Sequence, residues 1–394
     1  MKRIRNLLIA TEYDYPRFGG GGRVIENEIR FFKKVLRLTL LCRHWSTSAV
    51  PNGFDVVLTQ RVEPHGPLHG FLRTIIDSTK ISFKLHKLAF NPSVIHCHDI
   101  LMALSSIIAG YARRTVFHMH SPPSSDIFTM GTKLSDIHGI KLFMFLVEHL
   151  FERMIDMFVV NSVRFIICVS EFELDYVRSI TLRQNNLKII RNGVDLCIFR
   201  PDHIVRKMWR HKLGIQEQAA VVLFLGDMVP KNGVLIFAQA IIDFMEYEPI
   251  RVYLFVGDGP DKPELERKVV ASGRKDILIL PAMPAENVMP CGDIFVSHLS
   301  SLVEGFGLTI IEALACGLTV IIGRDRITST VLPPSSAIVL VQKDDPRAVA
   351  YAIKRYSVLL ETESIEAREV ANKFSVEKTM KALENVLVTC SIDM

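Results

Sequence analysis

The sequence lacks any apolar run approaching the roughly 18 residues that cross a membrane. The nearest stretch, Ile140 to Val160, is broken by Lys141, Glu148, Glu152, Arg153 and Asp156. Its first residues, MKRIRNLLIATEYDY, begin with basic groups as a secretory leader does. The apolar part is only LLIA before Thr11, Glu12 and Asp14, so a first β-strand is the expectation. Cysteine is present without a pattern. The seven thiols at 42, 97, 168, 197, 291, 316 and 390 make an odd count with no metal-type spacing. Most lie inside apolar runs, which reads as small core residues in a reducing compartment. Charge of one sign is in small excess, +5 from 47 Lys and Arg against 42 Asp and Glu. That demands no nucleic acid, and it suits an anionic ligand or an acidic membrane surface. Repeats and low-complexity tracts are missing. Disorder is excluded as well, because 49% of the residues are hydrophobic and the net charge is low.

What is present is an alternation of short apolar runs and helix-length segments over 394 residues, enough for two or three domains. The expected strands of the first half are Asn6–Ala10, Leu38–Cys42, Asp55–Thr59, Val94–His98, Val116–His120, Phe165–Ser170 and Lys188–Arg191. Most are continuous Val/Ile/Leu runs, as strands buried on both faces are. Helices are expected at Val24–Lys34 and Ile137–Val160. The pattern restarts with strands Val221–Leu225, Val252–Val256, Ile277–Leu280, Ile294–Ser297, Thr319–Ile322 and Ile338–Val341. Helices Val234–Phe244, Pro263–Ala271, Leu308–Ala315 and Asp345–Leu360 accompany them, and a last helix covers about Val376–Val388. This is the signature of parallel sheets wrapped by helices. The polar stretch Asp195 to Gln218 marks the boundary between two α/β domains.

The most informative segment is Glu304-Gly-Phe-Gly-Leu-Thr-Ile-Ile-Glu-Ala-Leu-Ala-Cys-Gly317, which follows the strand IFVSH and opens a helix. Gly305 and Gly307 remove side chains where a ligand approaches the backbone. Amides near Phe306, Gly307 and Leu308 form a helix start suited to an anion. A carboxylate at Glu312 can accept from a ribose diol, and one at Glu304 from sugar hydroxyls. An amphipathic helix with an acidic N-terminal region explains the same residues equally well, and physics alone leaves the two open.

The histidines form a second group. His96 and His98 end one strand, and His118 and His120 end another. Residues two apart share a strand face, so each pair can point together. Zinc is conceivable, but no cysteine or ligand helix completes a set, and no metal is expected. The run Phe18-Gly-Gly-Gly-Gly-Arg23 lacks the Gly-x-Gly-x-x-Gly spacing, since Val24 takes the third glycine position, which argues against a dinucleotide fingerprint. Gly257-Asp-Gly-Pro260 reads as a structural, strand-ending turn.

The Glu304–Gly317 segment resembles the paired-glutamate motif of glycosyltransferase family four, the glycogen-synthase-like retaining group of GT-B fold. IIRNGVDLCIFRP (189–201), LFVGDGPDKPELE (254–266), FIICVSEFELDYV (165–177) and the Gly19–Gly22 loop agree with that family in order and spacing from about residue 5 to 360. The resemblance implies an α/β chain of two Rossmann-like domains whose parallel sheets face a central cleft. Residues 1–195 would bind acceptor and 196–375 the nucleotide-sugar donor, with 376–394 a helix packing back toward the first domain. It implies Gly21, Gly22, Arg23, Lys231, Glu304, Gly305, Phe306, Gly307, Leu308 and Glu312 on the donor side and His98 and His120 on the acceptor side. His120 and Glu304 would be the catalytic pair. One departure stands out. Where the family carries an Arg and a Lys on the donor diphosphate, this chain has Asp227 and Asn232. Those roles are not carried over, and Lys231 and Arg23 are the nearest cations.

The expected activity is transfer of a sugar from a nucleotide-diphosphate sugar to an acceptor hydroxyl with retention. The nucleotide sugar is co-substrate and no other cofactor is expected, in keeping with the lack of an Asp-x-Asp site near a donor strand. The acceptor is a glycan, a lipid-linked sugar or a small molecule. The location is cytoplasmic, with peripheral contact at the inner membrane face as an extension; the basic stretch Lys80–Lys87 offers a helix face for it. A non-catalytic nucleotide-sugar-binding or scaffold subunit is the rival that Asp227 and Asn232 favour. An epimerase of the same fold is less favoured.

Overall fold

A strand of continuous Val, Ile and Leu is stable only where both of its faces are covered. Among the described residues of the computed structural model there are thirteen strands, and most fall on such runs. The structure describes residues 4–12, 14–15, 20–34, 36–45, 53–59, 69–88, 90–120, 139–248, 250–300, 307–356 and 361–392. In the first half the strands are β1 (Asn6–Ala10), β2 (Arg37–Cys42), β3 (Asp55–Leu58), β4 (Val94–Cys97), β5 (Thr115–Met119), β6 (Phe165–Cys168) and β7 (Leu187–Ile189). They pair in parallel in the order β3-β2-β1-β4-β5-β6-β7. The second half has β8 (Ala220–Leu225), β9 (Arg251–Val256), β10 (Ile277–Leu280), β11 (Ile294–Ser297), β12 (Thr319–Gly323) and β13 (Ile338–Val341). Their order, also parallel, is β10-β9-β8-β11-β12-β13.

The first half carries helices α1 (Gly20–Phe32), α2 (His69–His86), α3 (Ile100–Ile108), α4 (Ile140–Ser162) and α5 (Glu171–Ile180). The second carries α6 (His203–Lys212), α7 (Val234–Phe244), α8 (Lys262–Ser272), α9 (Leu308–Ala315), α10 (Arg326–Val331), α11 (Pro346–Tyr356) and α12 (Glu361–Asn372), followed by α13 (Val376–Ile392). The chain divides into two compact units. One gathers the residues up to Arg191 and then Lys378–Met394, and the other spans Asn192–Glu377. Among the described residues no helix is long and apolar enough to cross a membrane. All seven cysteines are free thiols, six of them buried.

Two differences from the sequence reading have clear causes. The glycine run is not a loop up to Gly22, because α1 already begins at Gly20. Its apolar positions Val24, Ile25, Ile29 and Phe32 are buried, and their packing overrides the poor helix propensity of glycine in the first turn. The helix expected over Asp345–Leu360 is α11 alone, with residues 357–360 outside the described set. The strongly charged α12 follows it unforeseen. Its buried face is small, with Ala367, Val370 and Ala371, and Arg368 Nη1 donates to the Ala315 carbonyl at the end of α9 (2.6 Å).

The polar stretch 195–218 folds entirely within the second unit, where it forms α6. Arg210 on that helix is the bulkiest fully buried side chain in the protein's described residues. It donates to the carbonyls of Gln216, Glu217 and Ala219 and, at 2.8 Å, to Asp293. Asp293 also takes Arg206 at 2.7 Å and the Val221 amide at 2.8 Å, so one carboxylate joins α6 to the starts of β8 and β11. Replacing Arg210 with Met leaves Asp293 only Arg206 and the Val221 amide and takes the charged donor from three carbonyls. Urea unfolding of the Arg210→Met variant should show the second unit destabilised by ~3–5 kcal/mol. A change below ~1 kcal/mol would remove this ion pair from the account of the fold.

Candidate functional site

In an open parallel sheet, ligands gather beyond the carboxyl ends of the strands where the strand order reverses. The reversal lies between β1 and β4 in the first sheet and between β8 and β11 in the second. Most of the described site residues expected from the sequence fall just after those four strands. The exceptions are His120, which follows β5, and Glu312, which lies within α9.

In the first unit the pleat sorts β4 and β5 into two faces. Ile95, Cys97, Phe117 and Met119 enter the apolar core. On the alternate positions Val94 and Val116 are followed by histidines, whose ring centroids lie 4.5 Å apart for His96 and His98, tilted, and 4.3 Å for His118 and His120, stacked. Against this face α1 presents Glu28, which is fully buried. Glu28 Oε2 lies 2.9 Å from His96 Nδ1 and 3.1 Å from His98 Nε2, and His98 Nδ1 lies 2.9 Å from His120 Nε2. Burial opposes ionisation of Glu28, but the two imidazoles more than offset it and hold the carboxyl well below the usual range. A carboxylate only accepts, so His96 Nδ1 and His98 Nε2 both carry protons. Where His98 carries that proton alone, its Nδ1 accepts from His120 Nε2–H and leaves Nδ1 of His120 as an acceptor atom. Burial first, and then His98, push His120 down to about 3, so it is uncharged at neutral pH. His120 is partly exposed whereas His98 is buried. Asp99 completes this strand end. It accepts from the Met102 amide to cap α3 and from the Glu12 amide at 2.6 Å.

Gly21, Gly22 and Arg23 occupy the first turn of α1. Arg23 Nη1 lies 3.4 Å from Glu26, which also pairs with Arg30.

In the second unit, Gly226 to Asn232 form the turn after β8. Asn232 does structural work there: its Nδ2 donates to the Asp227 carbonyl at 2.7 Å. Lys231 shares the single 3-10 turn Pro230–Asn232 with it. Neighbours in such a turn lie ~120° apart around the axis, so Lys231 does not take the direction of Asn232. The Gly257–Pro260 turn is structural, as expected: its Asp258 carbonyl accepts the Met228 amide at 2.8 Å and braces the turn after β8.

Beyond β11 stands His298, which the sequence reading passed over. Its φ is +55°, in the left-handed region that non-glycine residues avoid. Two glycines leave it room there. A Cβ on Gly307 would come within 2.5 Å of the His298 ring, and one on Gly323 within 2.4 Å of the His298 carbonyl. Only the strand-ending position of His298 in IFVSH hinted at it. Gly307 is also the N-cap of α9 and brings no capping side chain. In the first turn of α9 the Ile310 amide donates to the Gly307 carbonyl at 3.2 Å, and the amides of Leu308 and Thr309 are the ones that suit an anion. Glu312 lies more than a turn along α9 and is buried, as is Leu308. Glu304, Gly305 and Phe306 lie outside the described residues.

Among the described residues two histidine-containing groups bring ligand atoms within 4.8 Å of one another. These are Glu28 with His96 and His118, and His98 with His118 and His120.

Two doubly wound parallel units in one chain define the GT-B fold, and solved structures agree. HepE from Anabaena, determined with UDP and glucose, superposes with a TM-score of 0.74 at 17% identity, covering 98% of this chain and 100% of that one. Residues 18–197 match the family described as Glycosyltransferase Family 4, and residues 219–357 match Glycosyl transferases group 1. The chain belongs to glycosyltransferase family four. A D-inositol 3-phosphate glycosyltransferase of Geodermatophilus obscurus is 31% identical over 208 residues, 50% of this chain and 45% of the relative, so the chain spans less than half of that relative's length. An Escherichia coli relative, the UDP-Gal:alpha-D-GlcNAc-diphosphoundecaprenol alpha-1,3-galactosyltransferase, is 24% identical over 69% of this chain and 72% of its own length.

The contact between Gly307 and His298 is testable as a pair. Gly307→Ala should cost roughly 1–3 kcal/mol by overpacking. The same change in a His298→Ala background should cost much less, giving a coupling on the order of 1 kcal/mol in denaturant unfolding. Additive effects would mean that the ring does not sit over Gly307.

Proposed function

We propose that this protein transfers a sugar from a nucleotide-diphosphate sugar to an acceptor hydroxyl, with retention of anomeric configuration. The observation that carries the reading is the second unit's switch point. There an α9 N-terminus without a capping side chain is followed by the buried carboxylate of Glu312, within the family's paired-glutamate segment. Amide dipoles fixed at a helix start stabilise the charge that grows on a departing diphosphate, at no reorganisation cost during reaction. Glu312 accepts from the ribose hydroxyls, and Glu304, with Gly305 and Phe306, meets the donor sugar. The leaving phosphate takes the acceptor proton, so the reaction needs neither a separate base nor a metal. In the first unit, neutral His120 orients the acceptor by accepting a sugar hydroxyl at Nδ1. The cations missing at Asp227 and Asn232 are offset in part by the α9 amides.

A lipid-linked acceptor is the form the surface of the first unit favours. Leu150, Met154, Met157 and Phe158 on α4 are each roughly half exposed at helical spacing, and Phe83 on α2 is 63% exposed. Exposed Lys80, Lys87 and Arg153 accompany them. Apolar groups with basic neighbours suit an anionic bilayer face. The name of the Escherichia coli relative specifies a diphosphoundecaprenol-linked acceptor for that protein.

Two variants separate the donor from the acceptor half of the proposal. Calorimetry with UDP, GDP and ADP should show Glu312→Ala binding its preferred nucleotide at least tenfold more weakly, about 1.4 kcal/mol. His120→Ala should keep that affinity and lose sugar transfer. Unchanged nucleotide affinity in folded Glu312→Ala protein, or no turnover of any donor by the parent, moves the non-catalytic binding reading ahead. For the surface, co-sedimentation with phosphatidylglycerol vesicles should fall severalfold in Phe83→Ser/Phe158→Ser protein. Equal binding by parent and variant removes the bilayer from the proposal.

A further inference from the structure

The hydrogen bonds of the histidine face use only part of its polar atoms. Among the described residues, Glu28 Oε1, His96 Nε2 and both ring nitrogens of His118 are buried without a hydrogen-bond partner. A buried polar group left unmade costs ~1–3 kcal/mol, and more where it is charged. Here four such atoms belong to three residues that share one face of the sheet and the helix covering it. An ion that accepts lone pairs would relieve one atom on each of the three residues.

We propose that the first unit binds a zinc-class divalent ion through Glu28, His96 and His118. Each of these residues offers a ligand atom, and the three atoms lie within 4.8 Å of one another. Zinc bonds of about 2.0–2.2 Å put tetrahedral ligand pairs ~3.4 Å apart, so the side chains close by roughly 1 Å on binding. Two imidazoles and one carboxylate form a set that suits zinc and its first-row neighbours rather than magnesium or calcium. The competing group of His98, His118 and His120 is the poorer site, because both nitrogens of His98 and Nε2 of His120 are already engaged. His118 lies in both groups and is therefore the residue to remove.

The role is structural. The ion would join α1 to β4 and β5 beneath the pair His98 and His120, and it takes no part in the proposed transfer. The test is accordingly independent of turnover. Protein as purified is analysed for metal, then unfolded in chelator and refolded with Zn²⁺, Co²⁺ or Mg²⁺. Stoichiometric zinc, visible d–d bands of nitrogen-ligated cobalt and a raised melting temperature with Zn²⁺ but not Mg²⁺ are expected. His118→Phe, which keeps ring and volume, should weaken zinc binding by ~100-fold or more, at or beyond the upper end of what an outer-shell partner is worth. Glu28→Gln should weaken it as well, and decides the matter with the parent cobalt spectrum if His118→Phe does not fold. A parent protein that takes up neither zinc nor cobalt overturns the proposal. So does metal held equally by parent, His118→Phe and Glu28→Gln, which would be adventitious binding at surface imidazoles such as His203 and His211.

Discussion

An ionised carboxylate in the apolar layer between a helix and a sheet is tolerable only if its partners come with it. Glu28 sits in that layer, and the first unit is arranged around it. Its two bonds fix where α1 lies along β4 and which nitrogens of His96 and His98 carry protons. Through His98 it also sets which atom of His120 accepts. The second unit applies the same constraint at the opposite strand ends. Asp293, met by Arg206, Arg210 and the Val221 amide, binds the starts of β8 and β11. Their carboxyl ends are left to the glycine turns and to α9. Each unit thus sets one carboxylate against its switch point, Glu28 on the β4 side alone and Asp293 on both β8 and β11.

Most strands were legible because burial on both faces leaves a short, largely apolar run; buried helices such as Ile100–Ile108 share the apolarity and differ in length and flanking residues. Boundaries were less so. Nothing local says that Gly20 is already helical, because the reason lies in the sheet that Ile25 and Phe32 pack against. α12 was hidden by its charge: its apolar face is three small residues. Within the site, the histidine pairs and the α9 segment could be read from spacing. Glu28 could have been, since it stands four residues from both Val24 and Phe32 and so shares their face. Glu26, two residues away, is turned to solvent and pairs with Arg23 and Arg30, and the two acids look alike in the sequence. His298 was illegible for a deeper reason. Its place at positive φ is accommodated by Gly307 and Gly323, which leave it room, and both reach it only through the tertiary fold.

The substitutions at Asp227 and Asn232 take on a different meaning in three dimensions. From the sequence they are two lost cations. In the structure Asn232 is a brace, and its amide closes the turn onto the Asp227 carbonyl. Lysine at 232 would add charge at the cost of that bond. Under the proposed function, the position serves the backbone rather than the charge, and more of an anion's stabilisation would fall to fixed amides. Dipoles of that kind are weaker than a cation, but they need no long side chain to be ordered.

The first unit owns the end of the chain as well as its beginning. α13 buries Met380, Leu383, Val386, Leu387 and Cys390, and its Thr379 and Cys390 bond to the carbonyls of Arg191 and Arg113. A chain synthesised from its N-terminus therefore releases the whole second unit before the first has its last helix. At ordinary elongation rates the wait is on the order of 10–40 s. During it the surface that α13 will cover stays open to water and to other nascent chains. The order of assembly on the ribosome is thus the reverse of the order of sequence: the unit begun first is the one finished last.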